Sequence, residues 1–458
     1  MRPPAFPHHA AAALLLGCSL CLSAACTVAT QDAPAPDVQA LAETWTRERR
    51  PLPPPPLVTH ALVEAEVARL VREGGALIRD EVAGHSVQGR AIHHLTVGDG
   101  RTPILLWSQM HGDEPTATSA LFDLCQWLLT HRDEPVAARI LGQLTLHVVP
   151  MLNPDGAEQF TRRNAQGIDI NRDALLLQTP EGRTLKAIRD THEPIVGFNL
   201  HNQNWRTSVG RPARPAVISL LAVAYDEARS DNDVRRLTKK TSSVIVEALQ
   251  PFVAGHIGRY DDEFEPRAFG DNITKWGTGV VLIETGPWSG PEPDTRLVQL
   301  NFVALVSALD ALASGRVERA DPAVYEALPE NEGRLLHTVV RNATIAPGTG
   351  VEPFLGDVGL AGSRVGRQRR DGRAVAWQGT IADLGDLRGY GALVEGDGAG
   401  LVVAPAYTPG RTAGDVVTLP TSPAGDGPRI AVGQPAALWL LRPREDGRHE
   451  ILRVVRLE

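Results

Sequence analysis

The chain has 458 residues, more than one ordinary hydrophobic core accommodates, so two or more domains are expected. Hydrophobic content of 43% with 22% charged residues is that of a soluble globular protein, and a net charge of −8 argues against a nucleic-acid partner. Three of the four cysteines lie in the first 26 residues, which leaves Cys125 alone in the body. A disulfide framework and a cysteine-rich zinc module are thereby excluded, and any metal must be held by His, Asp or Glu.

Residues 1–26 read as an export signal: "MRPPAFPHH" carries one arginine, and "AAAALLLGCSLCLSAAC" is apolar and small. The run is too short and too early for a convincing spanning helix. Cys18 in "LLGC" and Cys26 in "SAAC" are both candidates for acylation in a bacterial lipoprotein, and a plain signal cleaved near Ala25 is the alternative. The expected location is a bacterial periplasm or cell envelope, with a membrane tether through Cys18 or Cys26 if the chain is lipidated. Residues 27–57 read as a linker, because "QDAPAPD" and "RRPLPPPPL" are proline-rich and extended, with the short amphipathic "ALAETWTRER" between them.

Residues 58–320 alternate strand-like and helix-like segments. "HALVEAEVARLVREGGAL", "TATSALFDLCQWLLTH", "TPEGRTLKAIRDTH" and "DVRRLTKKTSSVIVEALQPF" have helical spacing, and "LVQLNFVALVSALDALAS" closes the region as a buried helix. "PILLWSQ", "LTLHVVPML", "IVGFNLH" and "TGVVLIET" are short apolar runs that end in polar residues. Strands buried on both faces and separated by helices give an α/β domain with a mixed, mostly parallel sheet. Residues 330–458 change character. They are rich in Gly and Pro with short β-like pieces such as "RAVAWQGTIADL" and "AALWLLRP", which reads as a separate all-β module.

The chemistry sits at the ends of the apolar runs. His111 and Glu114 follow "PILLWSQM", "NPDG" (Asn153–Gly156) follows "LTLHVVPML", His201 ends "GFNL" and Glu284 ends "GVVLI". Ligands of open α/β sheets bind at the carboxyl ends of strands, so these groups converge. An HxxE pair alone is weak, but Gly112 permits a sharp turn after the strand, and the pair stands at a strand-to-helix junction. A third ligand would complete His2Glu, and three protein ligands plus a water describe a catalytic zinc site. His201 is the preferred third ligand, with His192 and His147 as rivals. Glu284 can take a proton from an attacking water and return it to a leaving amine. "TRRNAQGIDINRD" offers Asn171 with Arg162, Arg163 and Arg172, and the guanidinium forks of the three arginines suit a carboxylate and an oxyanion.

Together these segments resemble the zinc carboxypeptidase family of the carboxypeptidase A type. "HGDE" is similar to its HxxE motif, "NPDG" to its turn, "GIDINRD" to its G-[VI]-D-x-N-R-N segment, and "NLHNQ" and "VVLIET" to the segments of its third ligand and catalytic glutamate. The resemblance covers Gly84 to Leu312 and includes "GHSVQGRAI". It implies one zinc ion on His111, Glu114 and His201, and Glu284 as general base and acid. It also implies that Arg162 polarises the carbonyl and that Asn171 and Arg172 grip the terminal carboxylate of a peptide or peptide-like substrate.

Two positions depart from the family. Asp173 replaces the final Asn, and a charge beside Arg172 is expected to neutralise it, weakening carboxylate recognition or favouring a cationic or amide-bearing group. The family's capping tyrosine has Tyr260 as its best candidate by position, with Phe269 or Arg267 lining the side-chain pocket. The implied function is that of an exported metallocarboxypeptidase. The alternatives are an envelope amidase acting on cell-wall peptides and a non-catalytic binding lipoprotein on a peptidase scaffold. Oligomeric state is not legible.

Overall fold

The computed structural model describes residues 33–50, 57–348, 350–369, 372–420 and 428–457. The export signal, Cys18 and Cys26 lie outside them. In chain order the elements of the larger unit begin with α1 (Val38–Glu48), α2 (His60–Gly74), β1 (Ile78–His85), β2 (Ala91–Val97) and β3 (Thr102–Ser108). Then come α3 (Thr116–Thr130), α4 (Pro135–Gln143), β4 (Leu144–Val149), α5 (Pro154–Gln159), α6 (Pro180–His192) and β5 (Val196–Asn202). Two short strands, β6 (Ser208–Val209) and β7 (Arg214–Pro215), precede β8 (Ile218–Ala222), α7 (Asp233–Val253) and β9 (Ile257–Arg259). The unit ends with α8 (Phe269–Lys275), β10 (Gly279–Thr285), α9 (Pro293–Ser314) and α10 (Pro322–Glu326).

Local chemistry sets the helix ends. Thr179 and Asn232 accept from the backbone amides of Gly182 and Arg235, which caps α6 and α7, and Pro180 and Pro293 open α6 and α9 with a pre-set φ. Eight strands form one sheet in the order β1-β2-β4-β3-β5-β10-β8-β9. The inner links β4-β3-β5-β10 are parallel, while β1-β2, β2-β4 and β10-β8 are antiparallel, so the sheet is mixed as its sequence pattern indicates. Every residue of β10 is buried. One core lies between the sheet and α2, α3, α7 and α9, and the second lies under α6 and α8. Helices on both faces therefore explain why the inner strands read as continuous apolar runs.

The structure differs from the linker reading over Val38–Glu48. This stretch is helix α1, capped by Asp37 and docked on the larger unit. Leu41, Ala42 and Trp45 are buried, the Trp45 indole N–H donates to Asp123 at 2.8 Å, and Gln299 of α9 donates to the Ala42 carbonyl at 3.0 Å. Three apolar residues on one helical face are enough to draw a short amphipathic segment onto the core.

The C-terminal region carries β11 (Leu335–Ile345), β12 (Phe354–Arg369), β13 (Gly372–Gly385), β14 (Gly391–Asp397), β15 (Val402–Pro405), β16 (Val416–Val417), β17 (Ala437–Pro443) and β18 (His449–Arg456). They form one sheet in the order β13-β12-β11-β15-β17-β18-β16, with β14 beside β11. The region has its own apolar clusters, around Ile345, Val358 and Leu438 and around Trp439 and Ile451. It is hooked to the larger unit where Ser208 and Glu332 exchange backbone hydrogen bonds of 2.7 and 2.8 Å.

Candidate metal centre and substrate cleft

Strands β3, β5 and β10 lie side by side and run parallel, so their carboxyl ends open at one place. Glu284 of β10 stands directly opposite His201 of β5 in the register. His111 follows β3 after a turn whose strain is carried by Gln109, at φ 49°. The Gln109 side chain is fixed at both ends: its amide donates to the Gly112 carbonyl at 3.0 Å, and its carbonyl accepts from Thr118 at 2.9 Å. Gly112 is needed for another reason. A Cβ there would sit 2.0 Å from the backbone of Gly156, so only glycine lets the "NPDG" helix pack beneath His111. Asn153 caps that helix through Gly156 N–H at 2.9 Å and donates to the Met110 carbonyl at 3.3 Å, which joins the two turns.

His111, Glu114 and His201 come together, all buried, with their donor atoms within 4.8 Å of one another. His111 Nδ1 lies 2.9 Å from one Glu114 oxygen and 3.1 Å from His201 Nδ1, which lies 2.7 Å from the other Glu114 oxygen. Asp169 accepts from His111 Nε2 at 3.1 Å and so fixes the ring with its Nδ1 lone pair facing Glu114. Lone pairs of two imidazoles and a carboxylate meeting in a dry pocket repel unless a cation stands among them. The set fits one zinc ion with a position left for water.

Charge among these buried groups follows the same logic. Burial opposes a charge on His111, but the Glu114 and Asp169 carboxylates hold its pKa up to about 9. Burial pushes His201 down. Burial works against ionised Glu114, but His111 and His201 overcome it and hold the carboxylate well below its usual range. Glu284 is raised well above the usual carboxylate range by burial and by the neighbouring Glu114. Its Oε2 is buried with no hydrogen-bond partner. Arg162 reaches over the donors, with Nη1 3.1 Å from His111 Nδ1 and Nε donating to Asp169 at 2.9 Å.

The donors open onto a cleft of about 660 Å³ whose lining includes His111, Glu114, Glu284, Arg162, Asn171, Arg172 and Tyr260. His201 lies buried beside Glu114 rather than in the lining. Nearby Glu284 and burial push the Tyr260 hydroxyl up to about 12, so it stays a donor at neutral pH. Asp173 does not neutralise Arg172. Its buried carboxylate turns away and accepts from the amides of Gln178 and Thr179 and from the Thr179 hydroxyl. Glu265 is the acid that pairs with Arg172, at 3.2 Å. Phe269 and Arg267 do not line the cleft: Phe269 is fully buried in the core under α8, and Arg267 is exposed and paired with Glu265.

Several residues of the site carry no sequence signal strong enough to single them out. Asp169 lies inside "GIDINRD", but its hold on His111 appears only once the chain folds. Asp271 and Asn199 also line the cleft, both buried. Ser363 and Arg364, from the C-terminal hairpin, wall a neighbouring pocket that shares Glu114 and Arg162. The rival ligands His147 and His192 are elsewhere. They stack on each other at 3.8 Å between ring centres, beside His94.

Residues 63–216 match the family model described as zinc carboxypeptidase, a stretch that includes His111, Glu114 and His201 but not Tyr260 or Glu284. The chain is similar to Carboxypeptidase SOL1 of Arabidopsis thaliana, 40% identical over 14% of this chain and 13% of that protein. It is also similar to Carboxypeptidase 2 of Trichophyton rubrum, 24% identical over 39% of this chain and 35% of that protein. It thus spans well under half the length of these curated relatives. Among solved structures it is similar to a metallo-carboxypeptidase from Pseudomonas aeruginosa in complex with (2-guanidinoethylmercapto)succinic acid. That similarity has 20% identity, 56% of this chain and 70% of that one covered, and a TM-score of 0.45. Over residues 63–216 the chain is thus similar to the zinc carboxypeptidase family.

Proposed function

We propose that the chain is a zinc-dependent metallocarboxypeptidase that hydrolyses the peptide bond next to a free C-terminal carboxylate. The observation that carries this is a His2Glu donor set with Glu284 in register beside it, opening onto a cleft that also holds Arg172 and Asn171. A zinc ion held by His111, Glu114 and His201 would supply a Lewis acid and acidify a water at neutral pH. Glu284 takes the proton of the attacking water and returns it to the leaving amine. Arg162 offers a guanidinium to the oxygen that becomes negative. Arg172 and Asn171 grip the substrate carboxylate, which displaces Glu265 from Arg172, and Tyr260 donates to the bound peptide.

The side-chain pocket favours a cation. Asp271 and the Asn199 carbonyl oxygen are both buried in the cleft, and Asn199 Oδ1 has no hydrogen-bond partner. A lysine or arginine side chain at the substrate C-terminus meets both acceptors. Export to a bacterial envelope, with lipid on Cys18 or Cys26, completes the reading and is checked by mass analysis of the mature N-terminus.

The test is a peptide library incubated with zinc-loaded protein and read by mass. Loss of single C-terminal residues from free-acid peptides, with amidated versions untouched, is the expected result. Internal cleavage, equal attack on amidated peptides, or cleavage confined to muropeptides overturns the carboxypeptidase reading.

A further inference from the structure

Away from the catalytic donors, His60 opens α2, Glu64 follows one turn later on the same face, and His93 stands on β2. One nitrogen of each histidine is already committed to an oxygen. His60 Nε2 donates to the Ala91 carbonyl at 2.9 Å, and His93 Nδ1 donates to Asp80, 2.9 and 3.1 Å from its two oxygens. A carbonyl accepts only from N–H, so in the neutral ring the lone pair of His60 is on Nδ1. The same argument leaves the lone pair of His93 on Nε2. That atom is buried with no hydrogen-bond partner. His60 Nδ1 looks at Glu64 Oε2 from 3.9 Å, two acceptors when the ring is neutral. One donor atom from each of His60, Glu64 and His93 lies within 4.8 Å of the other two.

With both rings neutral, three lone pairs converge, and the outward nitrogens are held by a carboxylate and a backbone carbonyl. This is the arrangement that orients imidazoles toward a metal ion. The structure assigns to His60, Glu64 and His93 a second site for a divalent transition metal, with zinc the ion its two nitrogens and one oxygen suit best. Donors about 2 Å from one ion lie at most roughly 4 Å apart, so the set closes with movements under about an ångström. Glu64, whose side chain is 53% exposed, supplies that movement and leaves the ion a route from solvent. Strand β2 is separated from β3 by β4, so the site is distinct from the catalytic donors. The ion would pin the start of α2 to the sheet edge. The same helix start is tied to α5 through His60 N–H and Glu158, at 2.8 Å. The remaining histidine cluster makes a poorer site, because His94 Nε2 and His147 Nδ1 already bond each other at 3.0 Å.

The test counts zinc per chain by elemental analysis after zinc loading and desalting, alongside melting temperature. Wild type is expected to hold two ions, and His201→Ala to keep one. His93→Gln and Glu64→Gln are each expected to hold one, with a lower melting temperature in zinc but an unchanged one in chelator and with peptidase activity retained. Asp80→Asn weakens the second ion roughly 10–100-fold. Because Glu64 is on the surface, its variant folds whatever His93→Gln does. A wild-type count of one, or a count of two that neither Glu64→Gln nor His93→Gln lowers, overturns the site.

Discussion

Asp271 lines the cleft without a cationic partner of its own, and burial pushes its carboxyl up to about 7. The free enzyme therefore carries this charge above that pH and loses it below. Preference for C-terminal lysine or arginine over leucine is expected to fall as pH drops through about 7. Asp271→Asn should lower that preference roughly tenfold or more, the worth of a hydrogen bond to a charged group. Paired kcat/KM values on the two substrates check both statements, and an unchanged ratio rejects them. Asp169→Asn removes the acceptor that orients His111 and is expected to weaken zinc binding roughly 10–100-fold, read by competition with a chelator. At this scale the sequence showed which residue types belong to the site but not where each side chain points. Asp173 reads as a charge beside Arg172 because the two are neighbours in the chain. Folded, its oxygens go to Gln178 and Thr179, and Glu265, distant in sequence, takes the arginine. Contacts across such separations leave no local trace.

Elements place these residues through two turns packed against each other. Gly112 lies so close to Gly156 that Gly112→Ala must move one of them. It is expected to cost about 1–3 kcal/mol by overpacking and to displace His111 and Glu114 together. A thermal melt with a zinc count tests this; full zinc binding at unchanged stability would mean that the turns yield freely. The long periodic segments, from α2 to α9, and the inner strands are legible in the sequence because burial on one or both faces imposes their periodicity. Helix α1 is harder to read, since proline-rich flanks mask three apolar residues. Strands β12 and β14 also lack distinct signals. Most of β14 is exposed, and long β12 mixes glycine and arginine with few apolar residues, so neither shows clean alternation.

On the scale of the whole molecule the C-terminal sheet is more than an appendage. Its β12–β13 hairpin leans on the pocket beside the cleft, where Arg364 pairs with Asp294 at 2.6 Å and stacks over Trp205, 4.5 Å from its ring centre. Trp377 meets Trp205 edge-on at 4.7 Å. Arg364→Ala frees the hairpin and should change KM for longer peptides several-fold while leaving zinc content and dipeptide cleavage unaltered. Equal KM for all lengths would make the hairpin a structural prop. The change in composition near residue 330 reveals that a second unit exists. Its seat beside the metal donors depends on Arg364, Trp205 and Trp377 meeting, which no local pattern encodes.

The central claim is that Glu284 moves the proton in a reaction at a metal held by His111, Glu114 and His201. Glu284→Gln keeps shape and removes the base, so zinc content and kcat measured on the same preparation test it most directly. Zinc is expected to be retained at the His111–Glu114–His201 site and kcat to be lowered roughly 10²–10⁴-fold. Wild-type turnover in that variant would contradict the claim.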